Sequence, residues 1–124
     1  MIYADKEKYS DILEESINYL ENRGFENLKA DIDGYESPKS YTKKGSNISI
    51  TPDIVASKEG RKYFFDISLK SEKPKLLKSK WLFLNTLSTL KSARFKLITT
   101  RGHIQYSKNM LQDLNLNNKT LLKI

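Results

Sequence analysis

The sequence has no cysteine and a single histidine, His103. The first absence removes disulfides, thiol nucleophiles and cysteine-based zinc sites together. The second removes any histidine-rich metal centre. No run of about 18 apolar residues occurs, so no membrane span is expected. The N-terminus, MIYADKEKYS, is charged where a signal peptide would be apolar, and a cytoplasmic protein is expected. The five glycines are scattered at 24, 34, 45, 60 and 102. They form no G-x-x-x-x-G-K-[ST] phosphate loop and no G-x-G-x-x-G fingerprint. A G-x-S-x-G nucleophile elbow and an H-E-x-x-H zinc helix are also missing. With 124 residues the chain reads as one domain over 1–124, and 38% hydrophobic residues suffice for a core.

Acidic residues are also scarce over most of the chain. The net charge is +7, but residues 1–37 hold 4 basic and 10 acidic residues, whereas 38–124 hold 18 basic and 5 acidic. The stretch 71–101 has 8 basic residues against Glu72 alone. A basic surface of this kind points to a polyanion partner, most simply nucleic acid, or else to a solvated face with no partner.

Tyr9, Ile12, Leu13, Ser16, Ile17 and Leu20 fall on one face at helical period, and Gly24 follows Arg23 as a stop. Residues 25–33 alternate weakly, as a short strand would. Residues 34–46 (GYESPKSYTKKGS) read as a basic loop. Ile48, Ile50, Pro52 and Ile54 then alternate with polar neighbours. A turn around Gly60 follows, and Tyr63, Phe65, Ile67 and Leu69 alternate in their turn. This is a β-hairpin. Pro52 cannot donate to a ladder, so the first strand is an edge or bends there. The pair Phe64-Phe65 predicts cover on both faces of the second strand. Pro74 opens a helix over 74–92 with Leu77, Trp81, Leu84, Ser88 and Lys91 on one stripe, widened by Leu76, Leu87 and Leu90. Residues 94–100 read as a strand, Ser107 as the cap of a third helix through Leu114, and the tail TLLKI as a last strand or a packed end. The expected fold is α/β, a mixed sheet flanked by helices in the order α-β-β-β-α-β-α.

Asp53 and Asp66 lie on the two hairpin strands. Aspartate is a poor strand former, and a half-buried carboxylate costs free energy unless paired or cation-bound. Two such departures on adjacent strands mark a functional site. Together they suit a hard divalent cation with oxygen ligands, as Mg²⁺ prefers. Lys70, on the side of Asp66 and Ser68, is about 7 Å beyond Ser68 along a strand. A metal and an ammonium suit phosphodiester hydrolysis.

The stretch Thr51-Pro52-Asp53-Ile54-Val55-Ala56, the turn, and Tyr63-Phe64-Phe65-Asp66-Ile67-Ser68-Leu69-Lys70 resemble the PD-(D/E)XK nuclease superfamily. The likeness is greatest to small archaeal-type Holliday junction resolvases and other restriction-endonuclease-like proteins, and it covers most of residues 9–100. It implies a restriction-endonuclease-like core and a Mg²⁺-dependent DNA endonuclease, structure-selective in the resolvase-like case, with Mn²⁺ as a substitute metal. Pro52-Asp53 matches PD and Asp66 matches (D/E). Position 68, lysine in the family, is Ser68, and Lys70 is the expected substitute. The family also implies the Ile67 carbonyl as a metal ligand. It implies a first-helix glutamate too, for which Glu14 and Glu15 stay open. A homodimer acting on branched or duplex DNA follows from the resemblance. Ser68 leaves open a non-catalytic nucleic-acid-binding or accessory module, or a protein-interaction domain with structural aspartates.

Other residues have two readings each. Lys75, Lys78 and Lys80 are candidates to grip phosphates, or a solvated helix face. Lys43 and Lys44 are candidates to follow a DNA backbone, or simple solubilisers. Arg101 and His103, around Gly102, suit an anion contact or a surface turn. Tyr41 suits a base or its own loop, and Trp81 belongs to the core.

Overall fold

The computed structural model describes residues 6–116 and 120–124. Helix α1 (Lys6–Asn22) leads into β1 (Glu26–Ala30), and β2 (Tyr41–Thr42) and β3 (Ser49–Ile50) follow. Strands β4 (Ile54–Lys58) and β5 (Arg61–Ile67) precede α2 (Pro74–Leu90). Strand β6 (Arg94–Thr99), α3 (Ile104–Asp113) and β7 (Leu121–Lys123) complete the fold. The main sheet has five strands in the order β1-β4-β5-β6-β7, and β2 and β3 form a separate ribbon. The β1–β4 and β4–β5 pairs are antiparallel, and β5–β6 and β6–β7 are parallel. The expected mixed sheet flanked by helices is therefore present. No helix among the described residues is long and apolar enough to cross a membrane.

The hairpin turn sets the register of the centre. Glu59 and Gly60 both have positive φ, +52° and +78°, the two-residue turn whose twist matches the flanking strands. Lys58 then pairs with Arg61 and Ile54 with Phe65. One step further, the same register sets Asp53 opposite Asp66.

The long alternating run 48–55 is not one strand. It bends at Pro52, which offers no N–H. The part before the bend joins the ribbon with Tyr41–Thr42, a stretch expected as loop, and the part after it enters the sheet. Because β1 lies outside β4, the first hairpin strand is interior rather than an edge.

Phe64, Asp66 and Ser68 share one face of β5 by alternation, and Phe65 and Ile67 share the other; all are buried. Helix α2 lies on the Asp66 face, where the Trp81 indole meets that carboxylate. Helix α3 lies on the same face, with Ser107 against Ser68 and Asp113 paired to Lys78 of α2. That is the arrangement two successive right-handed crossovers produce. Helix α1, whose stripe Ile12, Leu13, Ser16, Ile17 and Leu20 is buried, is left to cover the Phe65 face. The helix stripes and sheet faces share one continuous core.

Three local expectations change. Ser107 is not a helix cap. It lies inside α3, where its Oγ is 2.9 Å from the His103 carbonyl oxygen four residues back. Lys91, assigned to the α2 stripe, is exposed, with its ammonium over the Tyr41 ring. Leu76 and Leu90 do not widen the buried stripe but face outward.

Candidate functional site

The register places like charges face to face, which alone is destabilising. Local donors answer it at every oxygen. The Asp53 N–H donates to Asp66 Oδ1 at 3.1 Å, and the Ile67 N–H donates to Asp53 Oδ2 at 2.8 Å. Trp81 Nε1–H donates to Asp66 Oδ2 at 2.8 Å, and the Tyr9 hydroxyl donates to Asp53 Oδ1 at 2.5 Å. The ammonium of Lys80 bridges the pair, 2.8 Å from Asp66 Oδ1 and 3.5 Å from Asp53 Oδ1.

The site therefore draws on four elements. The first turns of α1 supply Tyr9. The bend before β4 supplies Asp53, and β5 supplies Asp66. Helix α2 supplies Lys80 and Trp81 side by side. Trp81 is fully buried, and its seating on the sheet carries Lys80 to the carboxylates.

Burial raises the Asp66 carboxyl to about 8, and the charge of Asp53 adds to this while Lys80 opposes it. Burial by itself would lower Lys80. The two carboxylates, Asp66 foremost, override it and hold the ammonium above its ordinary range. Asp66 therefore ionises less readily than an ordinary carboxylate, and the Lys80 ammonium is the charge that favours its ionised form. The side chains of Asp53 and Lys80 keep 10% and 15% of their exposure, so the pair opens to solvent on the Asp53 side.

The donor set fits Mg²⁺ or Mn²⁺. It consists of hard oxygens, and Mg²⁺ is commonly held by one or two carboxylates with waters and substrate phosphates completing the shell. Because Ile67 sends its N–H toward Asp53, its carbonyl points to the same strand edge. A third acidic ligand is lacking among the described residues. Among the described residues no group of three or more histidine, cysteine, aspartate or glutamate side chains could hold a metal. Glu14 and Glu15 are exposed on α1. Glu14 instead faces a hollow with Asp31 and Asp33. The α1 side chain at the pair is Tyr9.

Lys70 is also placed elsewhere. Strand β5 ends at Ile67, so the alternation that would return residue 70 to the Asp66 face stops short. The Lys70 N–H donates to His103 Nδ1 at 3.0 Å, and its side chain is exposed. His103 also meets Lys8 through Nε2 at 3.1 Å. Burial and then these two lysines lower its pKa. Ser68, at the family's lysine position, is fully buried in a hydroxyl cluster. Its Oγ is 2.6 Å from Ser107 Oγ, which donates to Thr99 Oγ1 at 3.0 Å, and Thr99 donates to the Ser68 carbonyl at 2.8 Å.

The candidate phosphate contacts divide. Lys43, Lys44, Lys75 and Arg101 are exposed. Lys78 is held by Asp113 at 2.9 Å. Lys80 belongs to the acid pair. Sequence reasoning placed Lys80 among the phosphate contacts rather than at the acid pair and missed Tyr9 as a site residue, although both carried a signal. Lys80 is three residues after Leu77 and four before Leu84, inside the apolar stripe, and Tyr9 is the one polar-tipped ring on the α1 stripe.

Comparison of the chain with family models, with curated proteins and with solved structures finds no match. The functional reading therefore rests on the residues and their geometry.

Proposed function

We propose that the protein is a Mg²⁺-dependent endonuclease that hydrolyses phosphodiester bonds in DNA, with its catalytic lysine supplied by α2. The observation that carries this reading is the convergence of Asp53, Asp66 and Lys80 at one partly open site. Asp53, Asp66 and the Ile67 carbonyl would hold the metal, which would supply polarisation of the phosphate and activation of a water. To serve as a ligand Asp66 would have to be ionised. Lys80 carries a positive charge at all working pH values and stabilises the charge that develops on the phosphoryl oxygens. Tyr9 and the Ile67 N–H fix the Asp53 carboxylate, so little reorganisation accompanies the reaction. Exposed Lys43, Lys44 and Lys75 hold the flanking backbone. The small chain offers little binding area, which favours a homodimer on duplex or branched DNA.

One observation favours a second reading, a non-catalytic nucleic-acid-binding module. All four carboxylate oxygens already accept protein donors, as they would in a purely structural network. Cleavage of labelled linear, branched and single-stranded DNA in Mg²⁺, Mn²⁺ and EDTA separates the two. Metal-dependent cleavage that falls to background in Asp66→Asn and Asp53→Asn supports hydrolysis. Salt-sensitive binding with no cleavage in either metal supports the module.

A further inference from the structure

Beside the acid pair lies a trough that the chemistry above does not use. Its walls are the β2–β3 ribbon and the outward face of α2. Two hollows of about 480 and 470 Å³ share Ile48, Ile50 and Ser79 and so run together. Each lies within the range of small-ligand sites, about 300–1,000 Å³. The walls are apolar yet open to solvent: Ile48 is 61% exposed, Leu76 52% and Leu82 45%. Phe83 adds an aromatic edge at one end. The polar rim carries hydroxyls and two lysines, of which Lys43 is exposed and Lys80 is ion-paired to Asp53 and Asp66. Lys43 lines the far end and Lys80 the near end, next to Thr51 and hence to Asp53. Among the described residues no acidic side chain lines either hollow.

An apolar floor with an exposed ammonium, Lys43, at its far end and the acid–lysine site at its near end matches a ligand with apolar faces joined by phosphates. In duplex DNA the base faces are hidden by stacking, and such a floor gains nothing from them. In a single strand they are free to stack on apolar and aromatic side chains, while the phosphates meet lysines. We propose that this trough binds unpaired bases of single-stranded nucleic acid, threading the adjoining backbone past Lys80 toward Asp53 and Asp66. The inference builds on the nuclease reading and names the substrate form that the site prefers.

The test is fluorescence anisotropy in EDTA, with a labelled oligothymidylate and a duplex of equal length. The protein is wild type or carries Ile48→Asn with Leu82→Gln. Both positions are exposed, so the variant should keep the wild-type circular dichroism. The expected result is about tenfold tighter binding of the single strand, with most of that preference lost in the double variant and duplex binding unchanged. Lys43→Ala should weaken both ligands alike and flatten the salt dependence. Equal affinity for the two ligands, or single-strand binding untouched in the double variant, would overturn the proposal. So would a wild-type dimer, seen by sedimentation, that the double variant breaks, because the trough would then seat a second copy. Metal-dependent cleavage without single-strand preference would remove this inference and leave the nuclease. Single-strand binding without cleavage would keep the trough and remove hydrolysis.

Discussion

Asp66 and Ser68 stand two residues apart on one face of β5, both buried, and they are treated in opposite ways. Asp66 is charged chemistry held under tension. It faces a second carboxylate, and an ammonium and an indole N–H stabilise it. Ser68 is neutral and closes a ring of hydroxyls between β5, β6 and α3. The difference lies in the helix above each position. Helix α2 brings a lysine to residue 66, whereas α3 brings Ser107 to residue 68. A lysine at 68 would have to enter the space that Ser107 fills. The cation the carboxylates require thus arrives from a helix, and the strand position that supplies it in the resembled family becomes a packing site.

The largest way to break this contrast is Lys80→Ala. It should cut cleavage by about 10²–10³-fold, the loss of one preorganised charge at a transition state. It should also cost about 3–5 kcal/mol in urea unfolding at alkaline pH, where a buried pair loses its partner. The stability loss should shrink at lower pH, where Asp66 keeps its proton. Next comes Ser68→Lys, which creates the sequence pattern of the resembled family. It should destabilise by several kcal/mol and restore no activity to Lys80→Ala, because an ammonium would be buried among hydroxyls that cannot neutralise it. Unchanged urea unfolding would show that α3 yields readily and that the hydroxyl ring is not structural.

A subtler test reads the proton on Asp66. Its folded value, about 8, lies above the ordinary 3.8. Between these values the folded state binds more protons than the unfolded chain, so this group's contribution falls as pH rises from about 4 to 8 and is level above. In EDTA, the stability of wild type relative to Asp66→Asn should decline across that window. A difference that rises with pH would mean that Lys80 keeps Asp66 ionised. The smallest effect belongs to Lys70→Ala, expected to move stability by no more than about 0.5 kcal/mol and to leave cleavage near wild type. A loss of activity as large as that of Lys80→Ala would return the catalytic role to the strand.

Much of the fold was legible because it rests on local periodicity. The α1 stripe and the Pro74 helix start are short-range patterns; Ile12, Leu13, Ser16, Ile17 and Leu20 of α1 and Leu77, Trp81, Leu84 and Ser88 of α2 are buried as expected. The site was half legible. A turn centred on Glu59-Gly60 carries the arithmetic that sets Asp53 across from Asp66, and the poor strand propensity of both residues marked them out. The lysine was misplaced because residue 70 was assumed to continue the strand, and strand ends depend on neighbours distant in sequence. The glutamates of α1 were misplaced for a related reason. Alternative positions around a helix are equivalent until packing fixes its rotation, and that rotation turned Tyr9, rather than Glu14 or Glu15, toward Asp53.

By itself, then, the sequence determined the main helix faces, the hairpin and a carboxylate on each of its arms in a basic chain. These follow from spacing and turn chemistry, which act over a few residues. Only the tertiary structure decided which cation meets the pair, which α1 side chain orients it, and that a lysine-rimmed apolar trough adjoins it. Each depends on how helices seat on the two faces of the sheet, where burial of residues such as Trp81 and Ser107 selects one packing.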